Sequence, residues 1–149
     1  MELLNLIKKD MIIASLEADT KVEVIYELVE RYCSVNGRDE ASMEKIVTAC
    51  LDREALGSTS MENGIAIPHA KLDCVNEVSL VIGLSPKGIA FGDEGEICNV
   101  FFLLLANKNN PSEHIKVLSS VAKLCSSSMF VRFLNSAKTE DEILELFFD

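Results

Sequence analysis

The segment Arg53-Glu54-Ala55-Leu56-Gly57-Ser58-Thr59-Ser60-Met61-Glu62-Asn63-Gly64-Ile65-Ala66-Ile67-Pro68-His69-Ala70-Lys71 decides how the rest of the chain reads. It leaves the end of a helical pattern, crosses a loop dense in Gly, Ser, Thr and Asn, and becomes a short apolar strand, Ile65-Ala66-Ile67. Proline has no N–H and disfavours the helical region for the residue before it, so the strand is held extended and ends at Pro68. His69 is therefore expected just past the carboxyl end of a strand, where open α/β sheets place their ligands. The chain has only two histidines, and this one follows an arginine, the hydroxyl residues Ser58 and Thr59, and two glycines. A histidine after a proline in a turn is more often structural than reactive, so spacing alone favours the plainer reading.

Upstream, Leu3 to Ile7 forms a short helical turn and Met11 to Leu16 a first strand. Thr20-Lys21-Val22-Glu23 is a capping box. The helix it opens carries Val22, Ile25, Leu28, Val29 and Tyr32 on one face and stops at Gly37. A second helix from about Glu40 buries Met43, Ile46, Val47, Cys50 and Leu51 and delivers Arg53 at its end.

Downstream, Val75 to Leu84 is a strand, Pro86-Lys87-Gly88 a turn and Ile89-Ala90-Phe91 a return strand, which together make a hairpin. Gly92 to Gly95 is another turn. Cys98 to Ala106 is apolar on both faces, as a central buried strand is. Ser112 caps a helix with Ile115, Leu118, Ala122 and Cys125 on one face and Val117, Val121 and Leu124 on another. A shorter helix covers Met129–Leu134, and Thr139 caps a last one with Ile143, Leu144, Leu146 and Phe147. The expected fold is α/β: a mixed β-sheet containing a hairpin, flanked by helices on both faces, in one domain spanning 1–149.

Apolar residues make up 48% of the chain, enough for a globular core. The net charge of −10 argues against nucleic acid and anionic membrane, which need a basic face. The acid surplus is concentrated in residues 1–62, with 13 acidic and 7 basic side chains, so a basic protein partner would be complementary. Solvated helix faces account for the same charge. The five cysteines are scattered with no CxxC pair, which suits a reducing compartment and gives neither disulfides nor a zinc site. No secretory signal pattern opens the sequence, and Val100 to Ala106, the longest apolar run, is too short to span a bilayer. The expected location is the cytoplasm.

Gly57-Ser58-Thr59 followed by Gly64-Ile65-Ala66-Ile67-Pro68-His69-Ala70-Lys71 resembles the active-site signature of the EIIA components of the bacterial phosphoenolpyruvate:sugar phosphotransferase system. The type it resembles is the fructose/mannitol one, which includes the nitrogen-related regulatory EIIA. The likeness extends in looser form over nearly the whole chain. It implies that His69 accepts a phosphoryl group. It also implies that His114, 45 residues later, stands beside it as a support and not as an acceptor. No metal and no organic cofactor is implied.

The chemistry suits these residues. A neutral imidazole keeps one nitrogen lone pair free, and its ordinary pKa near 6.5 leaves that form well populated. Phosphoryl transfer is catalysed mainly by positioning and electrostatics. Arg53 offers a planar fork for phosphoryl oxygens, Ser58 and Thr59 offer hydroxyls, and Gly57 and Gly64 let the backbone come close. Taken without the resemblance, Arg53 reads as a helix-end arginine bonding its own last carbonyls, and His114 as an exposed residue of a first helical turn.

The leading reading is a phosphocarrier that takes a phosphoryl group from a carrier of the HPr type and hands it to a cysteine of a sugar-specific EIIB. Any association with membrane EIIC would run through EIIB. The alternative is a regulatory module of the nitrogen-related type, whose phosphorylation state controls binding to a target protein. A hydrolase using Ser58 or Ser60 with His69 is weak, since no nucleophile elbow is present. Relatives usually continue the Gly-Ser-Thr with Gly-Ile-Gly; here Ser60-Met61-Glu62 stands there. Glu62 near His69 would raise the imidazole's pKa, but a solvated carboxylate is screened, so it is expected to act on the rim by attracting a basic partner.

Overall fold

A computed structural model of the chain describes residues 3–148. Six strands, β1 (Ile12–Ile13), β2 (Ser60–Met61), β3 (Ile65–Ala66), β4 (His69–Leu72), β5 (Ser79–Ala90) and β6 (Ile97–Asn107), form one sheet of order β1-β5-β6-β3-β2. β4 also pairs with β6, so β3 and β4 lie end to end along one edge of that strand. The pairing is mixed. β5 runs antiparallel to β6, whereas β3 and β4 run parallel to it. The central place of β6 follows from its sequence, since its residues from Val100 to Ala106 are buried.

Helices cover both faces. α1 (Lys21–Asn36) and α2 (Glu40–Ala55) pack on one, through Ile25, Leu28, Ile46 and Val47 against Phe101 and Leu103. α3 (Pro111–Cys125), α4 (Ser128–Ser136) and α5 (Glu140–Phe148) pack on the other, through Val117, Val121, Leu134 and Ile143 against Phe102 and Leu104. Alternation along β6 divides its side chains between the two layers.

The caps follow the expected chemistry. Thr20 Oγ1 accepts the Glu23 N–H at 3.2 Å, while the Glu23 carboxylate accepts the N–H of Asp19 in return. Thr139 and Glu142 repeat the arrangement at the start of α5. Gly37 ends α1 in the left-handed conformation at φ 65°, where a side chain would be strained.

Several boundaries differ from the sequence expectation. Pro86-Lys87-Gly88 is not a hairpin turn. β5 runs on through it, with Leu84 opposite Val100 and Ile89 opposite Cys98, so residues 85–88 bulge opposite Asn99 alone. Pro86 has no N–H for the ladder, and Asn99 Nδ2 donates instead to the Ser85 carbonyl at 2.9 Å. The hairpin turn is the next one, where Glu96 O accepts the N–H groups of Phe91 and Gly92. The first strand shrinks to Ile12–Ile13: Lys9–Met11 is a 3₁₀ turn on one side, and on the other the Ala14 N–H leaves the ladder for the Glu140 carboxylate. β5 begins only at Ser79. Val22 and Ile115, both expected on packed faces, are 48% and 59% exposed. α3 is capped at Asn110 and not at Ser112, because Pro111, whose fixed φ suits the first helical position, starts the helix earlier.

Candidate active site

His69 lies just past the end of β3, as expected, and itself begins β4. β3 breaks at Ile67-Pro68 and pairing with β6 resumes in β4, with His69 opposite Leu104. Pro68 cannot donate, but its carbonyl accepts the Leu104 N–H at 2.9 Å, which ties the break to the central strand. The half-buried imidazole is therefore carried on the sheet. Its Nδ1 lies 2.8 Å from the Ile67 carbonyl oxygen. A carbonyl can only accept, so Nδ1 holds the proton and the lone pair is left on Nε2. Burial lowers the pKa of His69. The Ile67 bond opposes that shift, the charge of Arg53 adds to it, Glu54 opposes it and Lys71 adds to it. The lowered pKa favours the uncharged ring, and the free lone pair of that form is on Nε2.

His114, the fourth residue of α3, faces inward and is 4% exposed. Its ring centroid is 5.2 Å from that of His69, with the planes tilted by 54°. Burial, and after it the charges of His69 and Lys71, push its pKa down to about 4. Its Nε2 is buried and has no hydrogen-bond partner among the described residues. A buried polar nitrogen left in that condition is costly, and a phosphoryl oxygen on His69 would relieve it. The structure thus brings His69 and His114 together; the plain reading of His114 as an exposed first-turn residue does not hold.

Arg53, in the last turn of α2, directs Nη1 to the carbonyl of Gly57 at 2.7 Å. Gly57 lies beyond the end of α2 at Ala55, so this is a bond into the active-site loop and not to the helix's own last carbonyls. It uses only one end of the fork, and the guanidinium charge still reaches His69. Gly57 has φ 147°, which a side chain rarely tolerates, so the chain can turn there toward the arginine.

The two hydroxyls are engaged within the loop. Ser58 Oγ donates to Ser60 Oγ (3.0 Å) or Phe91 O (3.3 Å) and accepts the Ser60 N–H. The Ser58 N–H itself donates to Asp93. Thr59 donates both its N–H (3.1 Å) and its hydroxyl to the Glu54 carboxylate. Glu62 lies exposed on the 3₁₀ turn Glu62–Gly64. The carboxylate whose charge acts on His69 is Glu54.

Glu54 is the residue that reading the sequence for function passed over. It is 4% exposed and pairs with Lys21 Nζ at 3.0 Å. Lys21 also lies 4.7 Å over the Phe91 ring. A signal was present: Ile46, Val47, Cys50 and Glu54 share the buried stripe of α2, and a carboxylate on such a stripe needs partners.

Among the described residues no group of three or more His, Cys, Asp or Glu could hold a metal ion, and no single helix is long and apolar enough to cross a membrane. Burial drives up the pKa of several thiols: Cys50 and Cys125 to about 12 and Cys98 to about 11.

A family model described as phosphoenolpyruvate-dependent sugar phosphotransferase system, EIIA 2, matches residues 5–149. The chain belongs to that family. It is 36% identical over 144 residues to the mannitol-specific phosphotransferase enzyme IIA component of Geobacillus stearothermophilus, covering 95% of this chain and 94% of that protein. It is 26% identical over 144 residues to a nitrogen regulatory protein of Bradyrhizobium diazoefficiens, covering 96% and 92%. Among solved structures it superposes on a chain of the complex of enzyme IIAMtl and phosphorylated enzyme IIBMtl from Escherichia coli with TM-score 0.78 and 29% identity. That match covers 92% of this chain and 93% of that one. This EIIA-family chain thus has one relative whose name gives a sugar and another whose name gives regulation.

Proposed function

We propose that this chain, as one phosphotransfer domain over residues 1–149, accepts a phosphoryl group on His69 Nε2 from HPr and donates it to a cysteine of a sugar-specific EIIB. The observation that carries this reading is the fixed His69 ring. Its Nδ1 is held on the Ile67 carbonyl, its Nε2 is free, and the unpartnered Nε2 of His114 belongs to the ring beside it.

In the accepting step the Nε2 lone pair forms a P–N bond while the donor's P–N bond breaks and its imidazole leaves with the electron pair. The Nδ1 proton stays on His69, against Ile67 O, so no proton need cross the site. Arg53 and His114 offer charge and hydrogen bonds to the equatorial oxygens, which is where a loose transition state carries its charge. Ser58 and Thr59, engaged with Ser60, Phe91 and Glu54, serve by shaping the loop. In the donating step a thiolate displaces His69, a P–S bond forms and the lone pair returns to Nε2. The EIIB arm is supported by the IIAMtl–IIBMtl complex among the structural matches.

The experiment is incubation with phosphoenolpyruvate, enzyme I and HPr. One acid-labile, base-stable phosphoryl group is expected, and none on His69→Ala. Label that persists in that variant, or survives acid as a phosphoserine would, overturns the assignment.

The resemblance to a nitrogen regulatory protein favours a second reading in which the same phosphohistidine controls binding to a target protein. Chase with EIIB domains separates the two: label that reaches no EIIB cysteine supports the regulator.

A further inference from the structure

A continuous line of hydrogen bonds joins a buried carboxylate to the His69 ring. Lys21 Nζ stands 3.0 Å from Glu54 Oε1. Glu54 accepts the N–H of Thr59 at 3.1 Å and the Thr59 hydroxyl. The Thr59 carbonyl accepts the Ile67 N–H at 3.2 Å, and the Ile67 carbonyl lies 2.8 Å from His69 Nδ1. The connected residues come from α1, α2, the loop before β2 and the break between β3 and β4.

We propose that Glu54 is a positioning residue: by clamping Thr59 it fixes the Ile67 carbonyl, and through that carbonyl the tautomer and orientation of the His69 imidazole. This inference rests on the phosphocarrier reading of His69.

Three observations carry it. Glu54 is buried and spends its acceptor capacity on Lys21 and on both donors of one residue, Thr59. Thr59 in turn has its carbonyl on the Ile67 N–H, next to the strand break, where Pro68 supplies no N–H of its own. Lastly, the Ile67 carbonyl is the group that decides which ring nitrogen keeps the lone pair, a role that acceptors behind a reactive histidine commonly play. Glu54 makes no hydrogen bond to the ring; apart from its charge, which Glu54→Gln also removes, it acts on His69 through Thr59 and Ile67, and the Thr59 pair isolates that route.

The test uses full-length protein labelled with ¹⁵N-histidine, with long-range ¹H–¹⁵N spectra to read the His69 tautomer. The wild type should show Nδ1–H. Glu54→Gln keeps the side chain's shape but replaces one acceptor oxygen by an NH₂. It should raise the Nε2–H population severalfold and lower kcat for acceptance from phosphorylated HPr about tenfold, with KM for that donor unchanged. Thr59→Val, which loses the hydroxyl and keeps both backbone groups, should shift the tautomer in the same direction, whereas Thr59→Ser should match the wild type. The Thr59 pair carries the test if Glu54→Gln does not fold. A Glu54→Gln protein that folds with the wild-type tautomer and kcat overturns the proposal, as does identical behaviour of Thr59→Val and Thr59→Ser. The tautomer readout needs no phosphodonor, so a failure of labelling at His69 would sink the carrier reading separately.

Discussion

The imidazoles of His69 and His114 stand 5.2 Å apart, centroid to centroid, and a proton on His69 weighs against one on His114. The proximity that disfavours a second proton would, on the proposed phosphocarrier reading, let both rings face a phosphoryl group on His69.

That arrangement makes stability depend on pH. Both rings have folded pKa values below the ordinary histidine value, His114 at about 4. Above pH 6.5 neither state binds the proton and the groups contribute no difference. As pH falls from about 6.5 to about 4 the unfolded chain protonates His114 and the folded one does not, so stability is lost, on the order of 3 kcal/mol from this residue. Urea titrations between pH 4 and 7 should show the slope, and His114→Phe should flatten it. An equally steep dependence in that variant would place the effect elsewhere.

Phosphorylation should reverse the sign of the local field. A phosphoryl dianion on His69 favours the cationic form of His114, whose Nε2 could then donate to it. NMR titration of phosphorylated protein should find the His114 pKa at least a unit higher than in the unphosphorylated form. An unchanged value would remove His114 from the phosphoryl environment.

Arg53 tests geometry against charge. With Nη1 on Gly57 O, the guanidinium is oriented before any phosphoryl group arrives. Lysine supplies the charge but neither the fork nor that anchor, so Arg53→Lys should slow transfer nearly as much as Arg53→Ala. The expected loss is about a hundredfold, roughly 3 kcal/mol of barrier. Rapid-quench rates close to wild type for both variants would take the residue out of the site.

Glu62, exposed at the rim, should act on encounter and not on chemistry. Glu62→Gln should lower the second-order rate of phosphoryl acceptance roughly two- to threefold at low salt and converge with wild type at high salt. A variant faster at every ionic strength would show that this carboxylate opposes transfer.

Much of this was legible in the sequence because it depends on local pattern. The capping boxes at Thr20 and Thr139, the buried run of β6 and the helices on both faces follow from short-range chemistry. The signature around His69 pointed to the site. What escaped depends on partners distant in sequence. Nothing near Pro86 says that Asn99 will pin a bulge there, or that β6 will re-engage the chain after Pro68 and make His69 a strand residue. Val22 and Ile115 satisfy helical periodicity yet face solvent, because periodicity gives a face and not its neighbour. Glu54 was hidden for the opposite reason: its identity said surface, while its helical phase said core.

The thiols have a practical meaning for any assay of onward transfer. Cys33, Cys50, Cys98 and Cys125 are buried, and desolvation holds each above its ordinary pKa, so almost none of the alkylatable thiolate exists at neutral pH. Only the half-buried Cys74 is within easier reach. With Cys74→Ser, a thiol reagent would leave this chain unmodified, so that, if the proposed transfer to an EIIB cysteine occurs, the reagent blocks that hop at the acceptor and not at His69.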